Sequence, residues 1–166
     1  MHMHQLQVHP VAIGCPAVDD AALDAWRAFL NAHAHVTRRI SRDLQDAGLP
    51  DLSWYDLLWA IYRQPERALR VNELAREVVL SPTAMSRFVD RVEAAGYVRR
   101  EPDPDDRRAL QVTITDAGIE LLRRMWPIYE RGIERHFADH LGRSAGRMRG
   151  LLERVAASAR EDAGAR

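Results

Sequence analysis

Lysine is missing altogether. All 24 basic residues of this 166-residue chain are arginine, set against 24 acids for a formal net charge of zero. With no positive excess, composition gives no reason to expect a nucleic-acid partner, and GC-rich codon usage accounts for the arginine. Any such case must come from arrangement. Cysteine is nearly as scarce: the single Cys15 cannot form an internal disulfide, which fits a reducing compartment. No apolar run approaches the roughly 20 residues of a membrane-spanning helix, and the opening "MHMHQLQVHP" lacks the charged and apolar regions of a secretion signal. A cytoplasmic protein without membrane contact is expected. A phosphate-binding glycine loop, a nucleophile elbow and paired cysteines are also lacking. Neither an enzyme, a catalytic residue nor a cofactor is therefore expected.

What remains is 46% hydrophobic and 29% charged, the balance of a soluble globular chain rather than a disordered one. Residues 1–18 show no periodicity and read as a loose arm. From Asp19 a helical stripe runs through Leu23, Trp26, Leu30, His33, Thr37, Ile40 and Leu44, stopped by Gly48 and Pro50. The segment "LSWYDLLWAIYR" (52–63) is apolar nearly all round and should be central to the core. Two short helices follow. The second begins with Ser81 as N-cap and Pro82 at the first helical position, and Gly96 lies just past its end. Met85, Phe88, Val89 and Val92 should face inward, leaving Thr83, Ser86, Arg87, Asp90 and Arg91 outside. A helix, a short turn and a second helix of this length form a helix-turn-helix.

The stretch "EPDPDDRRALQVTIT" (101–115) then poses the central question. Residues 97–101 read as one strand. Leu110, Val112 and Ile114 alternate with Gln111, Thr113 and Thr115 as a second, half-buried one. Between them Pro102 and Pro104 stiffen a tip that ends in Arg107 and Arg108, so the hairpin reads as a wing beside the second helix. A long helix follows from Thr115 or Asp116 to Leu141, with a kink expected at Pro127, and a last helix covers 144–160. The expected fold is mainly α with a small β-hairpin wing. One domain spans 19–166, in which 52–115 forms the winged helix-turn-helix. The helices of 19–47 and 116–160 carry apolar stripes that a compact module cannot cover, so they are expected to interdigitate in a two-fold homodimer.

On this frame Thr83, Ser86 and Arg87 lie near the N-terminus of the second helix, where free backbone N–H groups favour phosphate and side chains suit base edges in the major groove. Arg91 sits one turn further, within reach of a phosphate. From Arg87 to Arg108 there are six arginines and six acids, so no simple basic patch exists. Instead, Asp105 or Asp106 can hold Arg107 or Arg108 extended for the narrow, negative minor groove. For an effector, Trp26, Arg27 and His33 with Trp54 and Tyr55 are expected to line a cleft for an aromatic carboxylate or phenol. A second possibility is metal sensing by His33, His35, His136 and His140, the last two standing four apart on one helix. No metal site is assigned. A protein-interaction adapter with a degenerate winged helix is the third.

The segment from Val71 to Gly118, above all "DPDDRRALQVTITDAG", closely resembles the winged-helix core of MarR-type bacterial transcription regulators, with flanking helices that agree in length and order over about residues 20–160. The resemblance implies a homodimer bound to a pseudo-palindromic double-stranded DNA operator, usually repressing, with a small ligand weakening DNA binding. It places Asp106 on the aspartate that supports the wing arginine, Arg108 on that arginine, and Ser81 to Arg87 on the start of the DNA-reading helix. Members that sense hydroperoxides carry a reactive cysteine inside the first helix, at a position near Phe29 here. Cys15 lies upstream of it, so an inert thiol is expected.

Overall fold

The computed structural model of the protein describes residues 18–78, 80–104, 106 and 109–164, the last five by backbone only. Residues 1–17 of the expected arm, Cys15, and the wing residues Asp105, Arg107 and Arg108 lie outside them. The described backbone divides after Ala34 into two units. The first holds the start of α1 (Asp20–Asp46), where Trp26, Phe29 and Leu30 are all exposed. Trp26 stacks on Phe29 at 5.9 Å, and Phe29 meets the His33 ring at 6.4 Å.

The second unit, His35–Arg166, holds the core. Here α1 buries Ile40 and Leu44. Asp51 caps α2 (Leu52–Tyr62), its carboxylate accepting the Ser53 amide at 2.9 Å. As its sequence implies, α2 is central to the core, with Leu57, Leu58 and Ile61 fully enclosed, but it is not buried all round: Ser53, Asp56 and Trp59 form an exposed face. Next come β1 (Ala68–Arg70), α3 (Val71–Glu77) and α4 (Pro82–Ala94), then β2 (Val98–Pro102), β3 (Leu110–Ile114) and α5 (Asp116–Ile133). Leu74, Met85, Val89, Val92, Val98, Val112, Leu121 and Met125 are also part of the core.

Three details differ from the sequence expectation. The wing is part of a three-stranded antiparallel sheet in the order β1-β3-β2, because Ala68–Arg70 pairs with Gln111–Thr113. Leu110, at the wing end of β3, is 53% exposed rather than inward-facing. The long helix runs as α-helix through Pro127 to Ile133 and departs from that geometry later, in a π-helical turn at Glu134–Ala138. Pro127 itself lies on the exposed face of α5, where the carbonyl that loses its partner can turn to water. The short α6 (Asp139–Leu141) and the 3-10 turn Gly142–Ser144 lead to α7 (Ala145–Gly164).

Candidate nucleic-acid interface

The chain builds α4 as its caps prescribe. Ser81 is extended, its Oγ accepting the Ala84 amide at 3.2 Å, and Pro82 opens the helix. Gly96, at φ +81°, ends the segment in the left-handed region that favours glycine. Met85, Phe88, Val89 and Val92 are buried. Thr83, Arg87 and Arg91 stand on the exposed side, with Ser86 half-buried. The Arg91 guanidinium lies 5.0 Å from the centre of the Phe88 ring, a cation–π contact that holds it along the helix.

The balanced charges of this region sort themselves by position. Arg100, on β2, donates to Glu93, to Asp90 at 2.6 Å and to the Ser86 carbonyl at 3.3 Å. Its own amide donates to Glu93 at 2.7 Å. One arginine thus neutralises both acids of α4 while fastening that helix along the wing strand. Arg99 pairs with Glu101 at 2.6 Å, and Arg70 with Asp103 at 2.7 Å. The Arg87 side chain makes no hydrogen bond or ion pair among the described residues and is exposed in the first half of the capped helix. Both acids of α4 are therefore taken up by Arg100, while Arg87 and Arg91 stand exposed on the same helix.

At the wing, Asp103 is buried, 7% exposed. Its Oδ1 accepts the amide of Asp106 at 3.1 Å. Asp106 itself is exposed, and its carbonyl accepts the Ala109 amide at 2.9 Å. Asp103 is a functional candidate that motif matching passes over. Its signal is local: an aspartate between two prolines can bond the backbone further along a tight turn.

A second feature of the same unit is a cleft of about 630 Å³ between α2 and α5. Tyr55, Trp59, Trp126 and Tyr129 form its aromatic wall, with Tyr55 packed edge-on against Tyr129 at 4.9 Å and stacked near Trp126 at 6.2 Å. Asp56 and Arg123 also line it. Burial, then the neighbouring Tyr129 and Asp56, push the Tyr55 hydroxyl up to about 12. Burial and Asp56 raise Tyr129 as well. Both phenols are thus neutral donors at physiological pH.

Of the expected effector residues, Tyr55 lines this cleft, while Trp54 turns the other way to pack against Phe88 and Tyr97 at 6.2 and 5.9 Å. Trp26, Arg27 and His33 belong to the unit ending at Ala34, where Arg27 pairs with Asp24 at 3.2 Å. Trp59, Trp126 and Tyr129 are missed by sequence because aromatics at helical spacing read as core. Among the described residues no three His, Cys, Asp or Glu side chains are grouped to hold a metal ion. His136 lies in the π-helical turn and His140 in α6, so α-helical spacing does not govern that pair.

No helix among the described residues is long and apolar enough to cross a membrane. A family model described as MarR family matches residues 47–109, the span from the end of α1 to the wing. Among solved structures the fold is similar to AbsC of Streptomyces coelicolor, with a TM-score of 0.79 at 28% identity over 89% of this chain and 99% of that one. It is similar also to Sco3205 of the same organism, solved in complex with DNA, with a TM-score of 0.76 at 31% identity over 87% of this chain and 91% of that one. A curated relative, the transcriptional repressor IacR of Pseudomonas putida, is 25% identical over 78% of this chain and 75% of its own length. Those relatives are transcriptional regulators rather than enzymes. Taken with the capped α4, the wing and the flanking helices, these likenesses mean that the chain belongs to the MarR family of winged-helix transcriptional regulators.

Proposed function

We propose that the protein is a cytoplasmic, homodimeric repressor that binds a pseudo-palindromic operator. In this reading α4 enters the major groove, the wing follows the minor groove, and a small aromatic compound releases the complex. The observation that carries DNA binding is the exposed, unpartnered Arg87 beside the capped N-terminus of α4, on a helix face whose acids Asp90 and Glu93 are both taken up by Arg100. A guanidinium free of intramolecular partners has both edge donors available for the O6 and N7 of a guanine. Thr83 and Ser86 share the face, Ser81 and Pro82 fix the helix end, and Arg91, Asp106, Arg107 and Arg108 extend the proposed contact. The relation to Sco3205, itself solved with DNA, supports the assignment, and the relation to IacR supports repression.

Binding of genomic operator fragments across a salt series is the direct test, because phosphate contacts make groove binding fall steeply with salt. Arg87→Ala is expected to cost about 1–3 kcal/mol and to relax base preference at particular operator positions. Absence of DNA binding at every salt would leave an adapter as the better reading.

For the effector, the α2–α5 cleft supports an aromatic carboxylate or phenol: stacked rings for its face, two neutral phenols and Arg123 for its polar end. Such a compound is expected to weaken operator binding, and zinc and peroxide are not. In Trp126→Ala the ligand concentration needed for release should rise by at least about tenfold, the loss of one good aromatic contact. Release by zinc that disappears in His136→Ala or His140→Ala would favour metal sensing instead.

A further inference from the structure

The neck of the wing carries an arrangement of its own. β1 and β2 are the outer strands of the sheet and β3 lies between them. Arg70 ends β1, opposite Gln111, and Asp103 directly follows β2, whose Pro102 lies opposite Leu110. The Nε of Arg70 donates to Asp103 Oδ2 at 2.7 Å. This ion pair therefore spans the sheet over the first residues of β3. Its carboxylate is only 8% exposed, so removing the arginine would take a charged partner from a buried carboxylate, which is costly. The same Asp103 also roots the tip. Its Oδ1 accepts the Asp106 amide, and its own amide donates to the Ala109 carbonyl at 3.0 Å. On the other side, the Arg70 amide donates to Glu73 at 2.9 Å, the bond that caps α3.

We infer that Arg70 and Asp103 are positioning residues for DNA recognition: their ion pair ties the neck of the wing to the start of α3 and sets the direction in which the tip meets the minor groove. The inference rests on the wing being a minor-groove probe. Electrostatics alone makes the opposite forecast for one of the two residues. Asp103→Asn removes a negative charge close to a polyanion, which by charge would tighten binding; as loss of the tie it weakens it.

Operator affinity, measured by fluorescence anisotropy on the full-length protein well below each variant's melting temperature, decides between them. Arg70→Met, which keeps the aliphatic stem, and Asp103→Asn should each weaken binding by about tenfold, and Arg70→Lys by less, since one charged donor is restored. In an Arg108→Ala background, Arg70→Met should add less than about twofold, because residues acting as one unit do not add. Binding by Asp103→Asn as tight as the parent's or tighter would overturn the inference. So would an undiminished loss from Arg70→Met in the Arg108→Ala background, which would mean that Arg70 touches DNA itself. Should Asp103→Asn fail to fold, the Arg70 and Arg108 cycle decides alone, as the Arg70 side chain is 43% exposed. Parent-like binding by Arg108→Ala together with a tenfold loss in Asp103→Asn would instead overturn the wing as minor-groove probe and leave the neck acting through α3.

Discussion

Gly118→Ala is expected to destabilise the protein by at least about 3 kcal/mol, the upper end for forced overpacking, and to lower the melting temperature by roughly 6–12 °C. A Cβ at this position would lie 2.2 Å from the Tyr97 carbonyl oxygen and 2.8 Å from Ile114 Cγ1. The oxygen cannot retreat, because it already accepts the Thr115 amide at 3.1 Å. Thr115 also donates its hydroxyl to the Gly96 carbonyl at 2.8 Å and accepts the Gly118 amide at 3.1 Å. The first turn of α5 is thereby docked backbone-to-backbone on the turn between α4 and β2, leaving no space for a methyl group. Gly132→Ala makes a graded comparison: its Cβ would meet Ile40 Cγ1 at 2.5 Å, a side chain that can shift, so a smaller loss is expected. Gly146, with nothing within 4 Å of a built Cβ, should tolerate alanine without loss. Differential scanning calorimetry of the three variants checks the order, and an unaltered melting temperature in Gly118→Ala would mean that the junction is loose.

That contact also explains why the segment ending in "TDAG" is so specific a sequence signal: its threonine caps the helix, and its glycine is the only residue that lets the helix approach. The fold was legible wherever such local chemistry coincides with periodicity, as at Ser81, Pro82 and Gly96 around α4. It was not legible where an element exists only through its partner. β1 has three residues, too few to show alternation, and nothing but its pairing with β3 makes it a strand. Proline chemistry points to Pro127, through which the α-helix continues, and the π-helical turn further on has no sequence signature.

The site divides in the same way. Arg87 could be placed from caps and helical faces alone. The sorting of charges around it could not, since Arg100 reaches Asp90 and Glu93 across a helix–strand turn and Arg70 reaches Asp103 over 33 positions of sequence. Counting signs over a window cannot show that both acids of α4 are taken up by one strand arginine. The effector cleft was hidden for a different reason. The α5 stripe of Ile119, Leu122, Trp126, Tyr129 and Ile133 has the spacing of a core face, but the deepest α5 side chains are Leu121, Leu122 and Met125. Trp126 is 43% exposed, and most of the stripe forms a cleft wall. Periodicity gives the side of a helix that is apolar, and not whether a neighbouring helix closes over it.

Leu151→Asp is expected to convert the protein from dimer to monomer at micromolar concentration and to weaken operator binding by at least about a hundredfold, the avidity lost when two half-site contacts are no longer linked. On α7, Leu151 and Val155 are four residues apart on one face and are 48% and 62% exposed. Met148 and Leu152 of the same helix line an apolar groove of about 430 Å³ with Phe137 and Leu141. In the unit ending at Ala34, Trp26, Phe29 and Leu30 are likewise open to solvent. Exposed apolar side chains grouped in this way are expected at an interface, and they fall on helices that the winged module does not need. A two-fold seam would cover such a face with a copy of itself. Because Leu151 is already half exposed in the single chain, aspartate there leaves the core of α2, α4 and α5 unaltered. The monomer should therefore retain its far-ultraviolet circular dichroism, and its melting should become independent of protein concentration. Light scattering coupled to gel filtration reads the mass directly. A Leu151→Asp protein that keeps the dimer mass and binds operator as the parent does would place the seam on another face, and Trp26→Asp would then be the substitution that separates the copies.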